Sequence, residues 1–207
     1  DLPGTMLYVL PVSTYQPFQI DQCPWCGYEC EDGVTLQETF FDGSGHLLIT
    51  NSIGKLLGFV GDLFVEEILS AFGSASTGWI GVSSEPTYYT PVSDTYTILI
   101  DGQTITETDQ VAVTQFGPGY ASGIENMTLE PSATGTLVIS PTGDVLNFSP
   151  SNLNQVDLLQ ALSISGTDYR FYVQGFSVGS EQEVTMTAAE DQLILDNSEN
   201  QDSGYAI

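Results

Sequence analysis

The sequence predicts a mainly β protein: a β-sandwich or jelly-roll-like domain with a short helical hairpin inserted over about residues 51–72. Short β-prone runs from Thr95 onward are divided by turn signals at Asp101-Gly102, Gly117-Pro118-Gly119, Pro141-Thr142-Gly143-Asp144 and Ser165-Gly166, the spacing of a sandwich. With 21 Gly, 10 Pro and 10 Tyr against 14% charged residues, the composition is that of a turn-rich β chain rather than a disordered one. One stretch has a helical period: Ile53, Leu56, Leu57 and Val60 fall at i, i+3, i+4, i+7, and Val65, Ile68, Leu69 and Phe72 repeat the spacing. At 207 residues the chain is long enough to bury one substantial core, and a single domain over 1–207 is expected.

At the N-terminus, Thr5, Met6, Leu7, Tyr8, Val9 and Leu10 form an apolar run between Pro3 and Pro11 with no obvious partner strand. It is either the first strand of its own sheet or, within residues 1–12, a strand donated to a neighbouring subunit. Cys23, Cys26 and Cys30 follow at C-x₂-C-x₃-C spacing, and there is no fourth cysteine. In a secreted chain two of them pair and one is left over; in a metal-loaded chain His46 completes a Cys₃His zinc set. Glu29, Glu31 and Asp32 crowd this segment and oppose a reactive thiolate.

A strand is expected over 34–41, then a tight hairpin turn at Asp42-Gly43-Ser44-Gly45, then a strand over 47–50. Asp42, Ser44 and His46 on that Gly-rich loop also suit a cation such as Ca²⁺. In the helical stretch, Asn51 or Ser52 caps a first helix and Asp62 a second, Glu66 and Glu67 sit near the latter's positive end, and Gly61 and Gly73 stand where helices stop. Gly, Asp and Glu interrupt the stretch too often for it to span a bilayer. A strand over 78–82 leads to a Pro- and Tyr-bearing loop over 85–94, where exposed Tyr88 and Tyr89, with Tyr96 beyond, suit a sugar or a subunit surface. Further strands are expected over 95–100, 110–116, 126–129, 136–140, 144–148, 158–165, 170–176, 184–188 and 193–196, and 197–207 reads as a polar tail.

Several of these pieces carry a resemblance. Thr50-Asn51-Ser52-Ile53-Gly54-Lys55-Leu56-Leu57, then Trp79-Ile80-Gly81-Val82, then Thr87-Tyr88-Tyr89-Thr90-Pro91-Val92-Ser93-Asp94-Thr95, resemble in order the helix start, the following strand and the loop of phage and virus tail-associated structural proteins. The stretch Ala121-Ser122-Gly123-Ile124-Glu125-Asn126-Met127-Thr128-Leu129, with Gly135-Thr136-Leu137-Val138-Ile139, is similar to that family's continuation. The chain departs from the pattern in lacking its basic residues and in carrying the cysteine segment in front. The resemblance implies a β-sandwich-like module that assembles into filaments or appendages, and it implies no catalytic residues.

Charge excludes one class of partner. Asp and Glu number 27 against two cations, Lys55 and Arg170, a formal net charge of -25 that repels a nucleic-acid backbone. Below about pH 3 most carboxylates would be neutral and little net charge would remain, so an acidic, saline or calcium-rich setting would each accommodate the chain. With Asp1 at its start and no signal, lipidation or membrane-spanning run, an extracellular, processed product is expected. Asn126-Met127-Thr128 and Asn147-Phe148-Ser149 are glycosylation sequons. His46 is the only imidazole, no Gly-x-Ser-x-Gly elbow occurs, and Glu66 beside Glu67 reads as a solvated face. The expectation is a non-enzymatic subunit whose partners are copies of itself, or else a secreted adhesin or glycan-binding module.

Overall fold

Alternating burial along the β-prone runs drives the architecture, because a strand with one apolar face must lay that face against another sheet. The computed structural model describes residues 34–74, 85–189 and 192–197. β1 (Leu36–Asp42) lies in one sheet and β2 (His46–Asn51) in the other, where β3 (Leu56–Val60) and β4 (Leu63–Glu66) extend the ladder from β2. β5 (Phe72–Ser74) and β6 (Thr87–Pro91) return to the first sheet beside β1, and β7 (Tyr96–Asp101) crosses to lie beside β2.

From there the chain lays down hairpins alternately. β8 (Asp109–Gly117) and β9 (Tyr120–Leu129) join the first sheet, and β10 (Thr134–Ile139) and β11 (Val145–Pro150) the second. β12 (Asn154–Ile164) and β13 (Thr167–Val178) extend the first sheet, and β14 (Val184–Ala189) and β15 (Gln192–Asp196) the second. The result is a seven-stranded sheet, β13-β12-β9-β8-β1-β6-β5, facing an eight-stranded one, β15-β14-β11-β10-β7-β2-β3-β4, with every pairing antiparallel.

The registers place the sheet-crossing arches at residues 42–46, 101–109, 129–134, 150–154 and 178–184 at one end of the sandwich. Hydrogen bonds tie neighbouring arches into a row: Ser44 N–H to Asp109 Oδ2 at 2.8 Å, Gly102 N–H to Ala133 O at 2.9 Å, Ser151 N–H to Thr134 O at 2.8 Å and Glu181 N–H to Pro150 O at 2.8 Å. The Asp42-Gly43-Ser44-Gly45 turn is therefore an arch between sheets and not the expected hairpin, since β1 and β2 never pair.

The expected helical hairpin over 51–72 is absent: the described residues contain no helix, and this stretch forms β3, β4 and the start of β5. Short apolar runs fit either period, and the burial decides. A helical stripe would have buried Ile53 and Leu69, which are 78% and 89% exposed, whereas Leu57 is fully buried. The cap at Asn51 is real chemistry in another setting. Its Oδ1 accepts the N–H groups of Ile53 and Lys55, closing a turn between β2 and β3. Gly61 and Asp62 likewise turn the β3–β4 hairpin, where Val60 pairs with Leu63. The expected loop over 85–94 is also partly strand, because β6 lies between β1 and β5. No helix of the described residues is long and apolar enough to cross a membrane.

The core runs between the sheets through Leu47, Ile49, Ile98, Ile100, Val111, Ile124, Leu137, Phe148, Leu158, Phe176 and Met186. One buried row of the first sheet is polar. Register aligns Gln160, Ser122, Gln115 and Thr39 across β12, β9, β8 and β1. Gln115 donates to Thr39 Oγ1 at 3.2 Å, and the Tyr120 hydroxyl donates to Gln37 at 2.9 Å or Gln115 at 3.1 Å. A slip of any strand would bury these amides without partners, so the row fixes register.

Candidate functional site

The arch after β1 brings His46 to the start of β2, and the approach to β6 brings Glu85 beneath it. His46 Nδ1 lies 2.9 Å from Glu85 Oε2. The same carboxylate accepts the Leu47 N–H at 2.7 Å and the Tyr88 hydroxyl. The Glu85 side chain is 1% exposed and that of His46 is 22% exposed, so the ring bridges a buried carboxylate and the surface. One face of His46 stacks on Phe59 at 4.3 Å, Phe59 meets Phe64 edge-on at 5.1 Å, and Phe64 lies against Tyr88 at 6.2 Å. Burial, with the charge and hydrogen bond of Glu85 behind it, pushes the Tyr88 hydroxyl far above its ordinary pKa and keeps it a donor.

Beside this pair a cleft of about 480 Å³ opens between two arches, lined by Gly43, Ser44, Gly45 and His46 on one side and by Thr104, Ile105, Thr106 and Glu107 on the other. A neutral imidazole that donates Nδ1–H to the Glu85 carboxylate leaves Nε2 as a lone-pair donor. Among the described residues no hydroxyl or thiol hydrogen-bonds to His46. No group of three or more His, Cys, Asp or Glu side chains with metal-binding placement occurs among the described residues.

The other expected site residues fall as follows. Cys23, Cys26 and Cys30, the run from Thr5 to Leu10, the expected strand over 78–82 and the tail beyond Asn197 lie outside the described residues. Asp42 is exposed at the end of β1, and Ser44 uses its N–H on Asp109. Tyr88 and Tyr96 are buried, contrary to the exposed aromatic loop that was expected, because β6 and β7 turn them inward. Tyr89 is half-buried, donates to Glu38 at 2.7 Å and stacks on the exposed Phe72 at 4.9 Å. Glu66 accepts the Gly73 N–H at 3.1 Å and Glu67 the Leu56 N–H at 3.3 Å, work at strand ends rather than on a helix face. Asn147 sits half-buried in the middle of β11.

Asn126 belongs to a joint the sequence did not reveal. Bulges interrupt β8–β9 and β12–β13, and Asp157 links them. It accepts Asn126 Nδ2 at 2.7 Å, the Gly175 N–H at 2.7 Å and the Tyr172 hydroxyl at 2.9 Å. Burial works against ionisation of Asp157, but these hydrogen bonds outweigh it and hold the carboxyl below its ordinary value. Asp144 is similar, with partial burial outweighed by hydrogen bonds from Ser140 and Thr142 and from the backbone. A depressed folded pKa gives stability that is present above the unfolded value and lost as pH falls through the folded one. Glu38 has the opposite sign, since burial raises it above the ordinary value despite the bond from Tyr89. Its contribution is present below the unfolded pKa and lost as pH rises through the raised one. Asp157→Asn is therefore expected to flatten the acid limb of the stability curve, measured by urea unfolding at steps from about pH 2 to 7; an unchanged limb would show that Asp157 does not carry it.

Fold and site together define an antiparallel β-sandwich with one carboxylate-held histidine at its arch end. Comparison with protein-family models, with curated proteins and with solved structures finds no match.

Proposed function

We propose that the chain is a non-enzymatic structural subunit that assembles with copies of itself into an extracellular filament or a virion- or tail-like appendage, by donating its N-terminal strand. The observation that carries this reading is the edge at β13. It is a 12-residue strand that ends the seven-stranded sheet in the order of the described strands. Ser165 and Gly166, both at positive φ, close a two-residue turn in which Ile164 pairs with Thr167. A turn of that kind makes the flanking pair hydrogen-bonded, so the backbone groups of Asp168 and Tyr172 point away from β12. Edges of this length are usually shortened, covered or broken by charge. Here the inward positions Phe171 and Val173 are buried and carry the core as far as β13.

The apolar run Thr5, Met6, Leu7, Tyr8, Val9 and Leu10 is the matching donor, and the Pro-punctuated residues after it provide a tether. The base-poor surface suits an exposed extracellular location. Removal of residues 1–12 is expected to leave a folded monomer that no longer polymerises, as read by electron microscopy and light scattering. Polymers formed by the truncated chain would overturn strand donation. Phe72 stacked on Tyr89 beside Glu38 favours a second reading, a secreted adhesin or glycan-binding module. Saturable glycan binding by a monomer would select it.

A further inference from the structure

His46 is the chain's one histidine, and the assembly proposal makes no use of it. Its surroundings go beyond what packing needs. Nδ1 is bonded to a carboxylate that is itself buried and fixed by the Leu47 N–H and the Tyr88 hydroxyl, so the tautomer and the ring plane are both set. Stacking on Phe59 removes the remaining freedom about the ring axis. The two ring nitrogens of an imidazole point in roughly opposite directions, so with Nδ1 turned to the buried carboxylate Nε2 points away from it, and His46 lines the cleft. Nothing among the described residues bonds to that nitrogen. A histidine that gives one N–H to a fixed carboxylate and offers the other nitrogen bare is arranged as metal-binding histidines are, because the carboxylate raises the basicity of the free nitrogen and pre-orients it.

We propose that His46 Nε2 binds a divalent transition-metal ion, with Zn²⁺ as the reference case, in the cleft between the β1–β2 and β7–β8 arches, with the Glu107 carboxylate as second ligand and water completing the shell. Imidazole selects such ions over Ca²⁺ and Mg²⁺, which prefer shells made of oxygen alone. The cleft of about 480 Å³ leaves ample space for a hydrated ion, and Ser44, Thr104 and Thr106 line it with polar groups. Its field is negative. Asp101 stands opposite His46 in the β2–β7 ladder, Asp109 holds the Ser44 N–H, and Glu107 is exposed on the facing arch. Neither cation of the chain lines the cleft: Lys55 lies in the β2–β3 turn and Arg170 on β13. With an imidazole and one carboxylate as protein ligands, the site is open and exchangeable, unlike a closed structural zinc centre. An ion held there would join the first two arches and stabilise the folded chain once its concentration exceeded the dissociation constant.

The single histidine makes the test direct. In the full chain carrying ¹⁵N-labelled histidine, the free protein should show Nδ1 protonated and Nε2 bare. Addition of Zn²⁺ should move the Nε2 resonance in a saturable one-to-one titration and leave Nδ1 in place. Glu107→Gln, on an exposed arch, should weaken that titration about tenfold, and Glu85→Gln by about 10- to 100-fold where its amide spectrum shows the fold intact. Ring resonances unmoved by Zn²⁺, as would follow if the ion went to Cys23, Cys26 and Cys30 instead, would overturn the proposal. Coordination through Nδ1 would do the same. Unaltered affinity in Glu107→Gln would overturn the Glu107 assignment.

Discussion

Glu85→Ala is expected to destabilise the folded chain by about 3 kcal/mol, the cost of leaving buried donors unpaired at about 1–3 kcal/mol each. Two of its donors are the Leu47 N–H, in β2, and the buried Tyr88 hydroxyl, whose other acceptor, the Leu47 carbonyl oxygen, lies at the long distance of 3.4 Å. Neither can turn to water without opening the sandwich. His46, which is 22% exposed, can. His46→Gln should therefore cost much less, about 1 kcal/mol, because the carboxylate keeps its other partners. In a chain of this size the Glu85 change corresponds to a melting shift of about 6–12 °C. Thermal unfolding of the two variants decides it, and equal losses in both would show that the ion pair, not the donor set, carries the energy.

Gly58→Ala is the second large effect. Gly58 sits within β3 at φ +125°, and a Cβ there would overlap the carbonyl oxygen of Leu47 on the neighbouring strand. Backbone cannot rotate away as a side chain does, so β3 must separate from β2 or Gly58 must change conformation. The expected loss is more than about 2 kcal/mol, with amide exchange fastest across β3 and β4. Gly61 is the control. It also has positive φ, 59°, but a Cβ there meets nothing within 4 Å. Gly61→Ala should cost only the conformational penalty of about 1 kcal/mol. Similar losses at both positions would mean that close approach of β2 and β3 is not what requires glycine at 58.

The contrast between these glycines also shows where sequence reasoning stopped. Gly61 reads in the sequence as a helix stop, yet both glycines belong to a sheet, one at a close crossing and one in a turn. The apolar spacing around them matched a helical period over so few residues that strand and helix were not separable. The outcome rested on β2, which offers β3 a ladder to join. Most strands from β7 onward were legible for the opposite reason, alternation between turn signals, but β9 begins at Tyr120, well before the expected 126–129, because a bulge breaks its alternation. β6 was missed because prolines flank its tyrosines, and only its position between β1 and β5 makes those residues a strand.

For the candidate site, His46 stood out by being unique, and the loop carrying it was recognised as polar and Gly-rich. Glu85 gave no signal. Its partner is 39 residues away along the chain, and nothing in Glu85-Pro86-Thr87 distinguishes it from the other acids. By itself, then, the sequence determined a mainly β chain, the approximate position of most strands, a strongly negative surface and the singularity of His46, all of which follow from composition and short-range periodicity. Tertiary structure alone decided which strands share a sheet, that residues 42–46 bridge the two sheets, that 51–72 is extended, and which carboxylate lies under the histidine. The physical reason is the same in each case: hydrogen-bond pairing and burial across the sandwich join residues far apart in the chain, and local spacing carries no record of them.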